Sequence, residues 1–352
     1  MNDKHQAKAA KGAARATIHD VAAEAEVSIK TVSRVLNKEP KVRSSTRERV
    51  LRAARALHYE PNPQARGLKG RRTHSIGLLY ENPQEFSYVQ KALEGVFGAC
   101  RSRKLSLLLR PCPEHVPAED VRQFVLQTRV DGVVLLAPLG DRRDILGMLK
   151  ALETPIAQVS PGVTALDAIS VNPRDKDACE LLTEHVCSYG HRRIGFIQGD
   201  PRHGSSHKRL RGFLECMSRH GHATPERLIA RGLFTFDSGK QAAHRLLRER
   251  PMPTAIIASN DDMAAGAIVA ARELGLDVPE DLSILGFDDS PIAAHTWPPL
   301  TTMRQPISEM ASAAAFSLVD HIAGATEKPA HREFDCEIVE RESLSGPRAP
   351  KE

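Results

Sequence analysis

The chain has 352 residues, 41% hydrophobic and 26% charged, enough to bury a sizeable core in two or three domains. Its net charge of +5 conceals a polarity: residues 1–72 hold 17 Lys and Arg against 7 Asp and Glu, net +10, while the other 32 basic and 37 acidic residues leave net −5. A basic first fifth on an acidic body points to a polyanionic partner, and no stretch reaches the roughly 18 apolar residues that would make a membrane the rival.

Residues 1–16 are basic, lack the apolar run of a secretory signal and read as a disordered arm. From Thr17 to Asn37 two short amphipathic helices follow. Ile18, Val21, Ala22 and Ala25 fall on one face of the first, and Val32, Val35 and Leu36 on one face of the second. Ser28 is placed to cap the second helix through its hydroxyl. The gap between them fits only a tight turn, which leaves Ile29, Lys30, Ser33 and Arg34 facing outward. That is the geometry of a helix-turn-helix that enters a DNA major groove, and also of a plain helical hairpin with a charged outer face. A third helix, Ser44–Leu57, presents Val50, Leu51, Ala54 and Leu57 inward, with Ser44, Ser45 and Thr46 available as caps. The unit spans 17–60.

The segment 61–72 has Pro61 and Pro63 at its start, Gly67 and Gly70 within, and Leu68 among Arg66, Lys69, Arg71 and Arg72. Two readings stand here. One is a hinge that folds on DNA and wedges Leu68 into the minor groove; the other is an ordinary basic linker.

From 73 to 345 short apolar runs alternate with helical stretches. The runs are Ile76–Tyr80, Leu105–Leu109, Gly132–Leu136, Ile156–Val159, Ile169–Val171, Ile194–Ile197, Ile256–Ala258 and Ile284–Phe287; the helical patterns include Val89–Arg101, Asp177–Tyr189, Leu210–His220, Gln241–Arg248, Asp262–Leu274 and Glu309–Ile322. Alternation of this kind means parallel sheets covered on both faces. Roughly ten strands exceed what one such sheet usually carries, so two α/β lobes are expected. Lobe 1 takes about 73–170 plus 303–330 and lobe 2 about 171–302 plus 331–345. A tail, 346–352, follows. The cleft between lobes is where such folds bind small ligands.

No phosphate-binding loop, nucleophile elbow or H-E-x-x-H occurs, so no enzyme, catalytic set, cofactor or metal site is expected. His203 and His207 are four apart, but Pro201 and Gly204 place them on a loop running into a helix, where they line a cleft rather than chelate. The six cysteines, Cys100, Cys112, Cys179, Cys187, Cys216 and Cys336, form no C-x-x-C and no zinc-finger spacing, and read as reduced structural thiols. Asp261-Asp262 and Asp288-Asp289 sit beside strand ends. With Asn260 and Arg209 they suit a hydroxyl-rich ligand, over which Phe234 or Trp297 could stack, or else they cap loops.

These residues together resemble the LacI/GalR family of bacterial transcriptional repressors, from about Thr17 to Ser343. The signature is Asp20-Val21-Ala22, Val27-Ser28, Thr31-Val32-Ser33-Arg34-Val35-Leu36-Asn37, Thr46-Arg47 and Tyr59-Glu60-Pro61-Asn62. Gly190-His191-Arg192-Arg193-Ile194-Gly195-Phe196, Arg209-Leu210-Arg211-Gly212-Phe213, Asn260-Asp261, Gly286-Phe287-Asp288-Asp289 and Pro299-Leu300-Thr301-Thr302 extend it. The resemblance implies an all-α helix-turn-helix headpiece and hinge helix joined to a two-lobed core similar to periplasmic binding proteins. It implies a cytoplasmic, nucleoid-associated homodimer on a pseudo-palindromic operator, released allosterically by a small effector, usually a sugar. Ile29, Lys30 and Arg34 would read bases, and Ser28, Thr31, Ser33, Asn37, Thr46, Tyr59 and Asn62 would join Leu68 among the DNA contacts. Arg209 and Asp288 would hold effector hydroxyls, with Asn260, Phe234, Trp297 and Tyr88 also at the cleft. Corepression in place of induction, or sugar binding without regulation, are the alternatives.

Three positions depart from the family pattern. Glu26 stands where the turn usually has glycine. Val171-Asn172-Pro173 removes a carboxylate expected near the cleft. The loop Glu81–Tyr88 is short.

Overall fold

The computed structural model describes residues 16–36, 39, 42–59, 72–81, 86–165, 167–326 and 330–348. The chain divides into two compact units, 1–73 and 74–352. The arm 1–16, apart from Ala16, and nearly all of the hinge segment fall outside the described residues.

In the first unit, α1 (Ile18–Glu24), α2 (Ile29–Leu36) and α3 (Ser44–Ala56) enclose a core of Val21, Ala22, Ala25, Val32, Val35, Val50, Ala53 and Ala54. A reciprocal cap starts α1: Thr17 N–H donates to Asp20 Oδ2 at 2.7 Å and Asp20 N–H to Thr17 Oγ1 at 3.4 Å. Ser28 starts α2 as expected, its Oγ accepting from Thr31 N–H at 3.2 Å. The third helix departs from expectation twice. Its cap position is Arg43, which makes no side-chain cap bond, so none of Ser44, Ser45 and Thr46 does that work. Leu51 is 39% exposed, because the turn that points Val50 and Ala54 inward brings Ala53 with them and leaves Leu51 on the flank. Glu26, between α1 and α2, has φ 50°. A side chain in this left-handed conformation costs about 1–2 kcal/mol, which a glycine there avoids.

The second unit holds two six-stranded sheets. The first is ordered β11-β5-β4-β3-β1-β2, with β1 (Ser75–Glu81), β2 (Ser106–Cys112), β3 (Gly132–Leu136), β4 (Ile156–Val159), β5 (Ile169–Pro173) and β11 (His331–Phe334), all parallel. The second is ordered β12-β10-β9-β8-β6-β7, with β6 (Ile194–Gln198), β7 (Ile229–Arg231), β8 (Ala255–Ala258), β9 (Ser283–Asp288), β10 (Thr301–Arg304) and β12 (Glu337–Val339), of which only β12 runs antiparallel.

Alternate strand residues feed opposite faces. Ile76, Leu78, Val134 and Leu136 pack under α4 (Phe86–Ser102) and α12 (Ile307–Ala323); Leu79, Val133 and Leu135 pack under α5 (Ala118–Thr128) and α6 (Arg143–Ala151). In the second lobe Phe196, Ile257, Leu285 and Phe287 meet α7 (Asp175–Ser188) and α8 (Gly204–Arg219). Ile197, Ile256 and Ile284 meet α9 (Phe236–Leu247) and α10 (Asp261–Glu273), and the short α11 (Pro291–His295) closes one end. Burial on both faces explains why the strands read as unbroken apolar runs.

The lobe boundaries differ from expectation at three crossings. Val171–Pro173 stay in the first sheet as the end of β5, and Met303 and Arg304 stay in the second as the end of β10. Residues 331–334, expected in lobe 2, pair with β5 in lobe 1, where Ser170 Oγ and His331 Nδ1 lie 2.9 Å apart. The reason is α12: it packs on lobe 1 and ends at Gly324 (φ 76°), so the returning chain meets the open edge of β5 before crossing back.

Candidate functional site

In the first unit the outward face of α2 carries Ser28, Ile29, Lys30 and Arg34, all exposed, with Ile29 at 41%. Ile29 and Lys30 open α2, and Arg34 stands in its last turn. Thr31 and Ser33 are half-buried, and Thr31 Oγ1 lies 2.9 Å from Ser28 Oγ, so these hydroxyls already hold the turn. Arg34 has a weak tether, Glu39 at 3.6 Å. Thr46 is half-buried on α3, and Tyr59 packs against the unit's core, which makes its ring a structural element first. Asn37, Asn62 and Leu68 lie outside the described residues.

The second unit has an interlobe cleft at the carboxyl ends of the strands. Its inner pocket is lined by Tyr88, Ala137 and Ser160 from lobe 1 and by His203, Ser205, Arg209, Phe234, Asn260, Asp262 and Asp288 from lobe 2. Arg209, on α8, is 4% exposed. Its Nε donates to Asp175 Oδ1 at 2.8 Å and its Nη1 to the Ser259 carbonyl at 2.5 Å; Nη1 also lies 3.6 Å from Asp288 Oδ1. The guanidinium stacks 3.8 Å from the Phe287 ring centre. Asp288 ends β9 at φ 107°, a strained conformation that turns its carboxylate into the cleft. Gln305 Nε2 donates to it. Burial pushes Asp288 up to about 6, with Arg209 opposing the shift.

Phe234 (φ 61°) packs its ring over the bare backbone of Gly199 and meets His203 edge-on, ring centres 5.1 Å apart. Burial lowers His203 to about 4, so the ring is neutral near pH 7. Asn260 is a positioning residue: its Oδ1 accepts from Met263 N–H at 3.0 Å to cap α10, and its Nδ2 donates to the Phe234 carbonyl at 2.8 Å. The Tyr88 hydroxyl lies 2.8 Å from Ser160 Oγ, and burial raises its phenol.

The paired acids divide by role. Asp262 and Asp288 line the pocket, whereas Asp261 is buried, accepting from Ser290 N–H at 2.6 Å and from Thr302 Oγ1. Asp289 is claimed by Arg304 at 2.7 Å and Arg341 at 2.6 Å. Trp297 is a correction. It is 73% exposed in the loop after α11 and does not line the pocket; its carbonyl accepts from Arg272 at 2.7 Å. Asn172 does not line it either. Ser160 and Ser205 were not singled out from the sequence as pocket contacts, whereas Asp262 was read there only as one of the paired acids. The glycine-bearing loop before α8 did signal its end of the cleft. His207 turns instead to the Pro201 carbonyl, 2.8 Å away.

The lobes are closed over this pocket. Arg202 of lobe 2 reaches Glu81 at 2.7 Å and Glu114 at 3.3 Å, Lys91 of lobe 1 donates to the Asp289 carbonyl at 2.6 Å, and Lys208 donates to the Pro161 carbonyl at 3.3 Å. Gly162 and Gly204 touch backbone to backbone: a Cβ on Gly204 would lie 2.0 Å from Gly162 Cα. The inner pocket keeps about 30 Å³ of free space and opens beside an outer one of about 330 Å³.

Residues 17–62 match the family model for bacterial regulatory proteins, lacI family, and residues 183–344 that for a periplasmic binding protein-like domain. The HTH-type transcriptional repressor PurR of Yersinia enterocolitica is 35% identical over 335 residues, 94% of this chain and 97% of that protein. The chain belongs to the LacI family of bacterial regulatory proteins. Among solved structures, the transcriptional regulator CelR–cellobiose complex is 33% identical with a TM-score of 0.73. The lac repressor dimer bound to operator and the anti-inducer ONPF is 27% identical with a TM-score of 0.84. Each match covers 94% of this chain and 100% of the other. As a LacI-family member the chain is a DNA-binding transcriptional repressor with an effector-binding core, and not an enzyme. Among the described residues no helix is long and apolar enough to cross a membrane.

Proposed function

We propose that this LacI-family repressor acts in the cytoplasm as a homodimer on a pseudo-palindromic operator and is released by an uncharged, hydroxyl-rich effector, a sugar, bound between its lobes. The observation that carries the reading is the convergence of Asp262, Asp288 and Arg209 with the hydroxyls of Tyr88 and Ser160 around the Phe234 ring. Two carboxylates accept from ligand hydroxyls, the guanidinium and hydroxyls donate, and the ring takes a sugar's apolar face. The similarity to the CelR–cellobiose complex supports the same class. On the DNA side Ile29, Lys30 and Arg34 read base edges, Ser28, Thr31, Ser33, Asn37, Thr46 and Asn62 hold phosphates, and Leu68 wedges the minor groove.

The test is reciprocity. A screen of neutral sugars by thermal shift identifies the effector, and its affinity is then measured with and without saturating operator fragment. Operator weakens effector binding by the same factor by which effector weakens operator binding. Equal affinities in the two states sink induction, and tighter binding on the operator assigns corepression.

A pH dependence follows from Asp288. Its folded value, about 6, lies above the ordinary 3.8. A raised carboxyl favours the folded state when protonated, so that contribution is present below pH 4 and lost as pH rises through 6. Effector hydroxyls donate to the ionised form, so affinity has the opposite sign: full above pH 7 and about tenfold weaker at pH 5. His203, neutral down to about 4, adds nothing in this window. Calorimetric titrations from pH 5 to 8 check it; Asp288→Asn removes the Asp288 part, and Asp262, which burial also raises, carries what remains.

A further inference from the structure

The far ends of α7 and α8 hold a cluster that neither operator nor effector binding uses. Glu184 and Cys187 lie one turn apart near the end of α7, and Cys216 lies in the last turn of α8. His220 is the C-cap of α8. Gly221 then adopts φ 67°, and His222 N–H donates back to the Met217 carbonyl at 2.9 Å. This reversal folds His222 beside His220, with ring centres 5.6 Å apart and planes within 27°. Among the described residues, one donor atom each from Cys187, His220 and His222 lies within 4.8 Å of the others, and so do those from Glu184, Cys216 and His220. His220 is common to the two triads.

We propose that this cluster binds a zinc-class divalent cation through Cys187, Cys216, His220 and His222, with Glu184 orienting His220. Two thiolates and two imidazoles select a borderline-soft ion over magnesium or calcium, which take oxygen. Tetrahedral coordination at zinc–sulfur and zinc–nitrogen lengths needs donor separations of about 3.3–3.8 Å, so the two triads, joined through His220 and each spread over up to 4.8 Å, draw together as the ion takes both thiolates and both imidazoles. Glu184 Oε2 accepts from His220 Nε2 at 2.8 Å, the carboxylate–imidazole pairing that fixes a metal-bound histidine. Arg219, 3.7 Å from Glu184, competes for that carboxylate but is held by Glu180. The 29-residue separation of the cysteines in sequence conceals the site, because two packed helices rather than a short loop bring them together. A cation there ties the ends of the two helices whose beginnings carry Asp175 and Arg209.

The experiment uses the full chain, purified reduced with a non-coordinating phosphine. It is equilibrated with zinc, desalted, and assayed for metal by plasma mass spectrometry. A parallel sample takes cobalt(II), read by absorption. The expected result is about one zinc per chain and a cobalt spectrum with a thiolate charge-transfer band and tetrahedral d–d bands. Cys187→Ser and His222→Ala, both at the edge of the cluster, lower zinc affinity at least about tenfold, while a far-ultraviolet circular dichroism spectrum reports an intact fold. No stoichiometric metal on the reduced chain, metal retained at full affinity in both variants, or a Cys187–Cys216 disulfide formed in place of uptake each overturns the proposal.

Discussion

Arg209→Ala is expected to destabilise the second unit by about 3–5 kcal/mol and to abolish the effector response. The guanidinium is 4% exposed and stands between Asp175, itself 2% exposed, and Asp288, with the Phe287 ring beneath it. Removing it leaves two buried acids without their cation, and the loss comes from their desolvation rather than from the pair's net worth. Asp288 then rises further, because Arg209 is the group that opposes its burial. Urea unfolding of the full chain, followed by a probe in the second unit, gives the stability. Arg209→Lys separates charge from shape: it restores a cation but not the fork that reaches Asp175 and the Ser259 carbonyl together, so part of the stability returns and the response does not. An alanine variant as stable as the parent would remove Arg209 from the centre of the site.

Gly204→Ala is expected to weaken effector binding at least about tenfold with little change in the stability of either lobe. Gly204 is the first residue of α8, where alanine suits the helix, and its φ needs no glycine. The obstacle is across the cleft: the added methyl would sit 2.0 Å from Gly162 Cα and 2.9 Å from its nitrogen. Gly162 has no room to retreat, because Asp141 holds its N–H at 2.7 Å and that of Val163 at 3.1 Å. The lobes must part, and Tyr88 and Ser160 then no longer meet Arg209 and Asp288. Calorimetric affinity and small-angle scattering check the two halves of this expectation. Unaltered affinity would show that effector binds with the lobes apart.

Much of the fold was legible in residue periodicity. The strand runs around Ile76, Val134, Ile194 and Ile256 are apolar on both faces, and that pattern has few meanings. The cap at Ser28 and the strain at Glu26 were legible too, because both are local. What escaped depends on distance in sequence. The edge strand 331–334, with exposed His331 and Arg332, has no apolar alternation and gains its place only from its pairing with β5. Of the paired acids, only Asp288 was marked out, by the family resemblance; residue type alone did not separate the other three until Thr302, Arg304 and Arg341 were placed beside Asp261 and Asp289. Trp297 looked like a stacking platform on residue type alone, and its loop carries it into solvent. Phe234 was placed correctly, held by Asn260, whose own role turned out to be support.

The contact between Gly162 and Gly204 has a consequence for time as well as for affinity. With about 30 Å³ free, the inner pocket has room for a water or two, and the larger space lies in the outer pocket beside it. An effector that fills the inner pocket would then need Arg202 to leave Glu81 and the two glycines to separate. At high effector concentration the rate of capture is then the rate of opening, and further effector does not quicken it. If the proposed effector is right, the repressor's response to a sudden rise in it is paced by the protein's own breathing, and a pulse shorter than that interval passes unread.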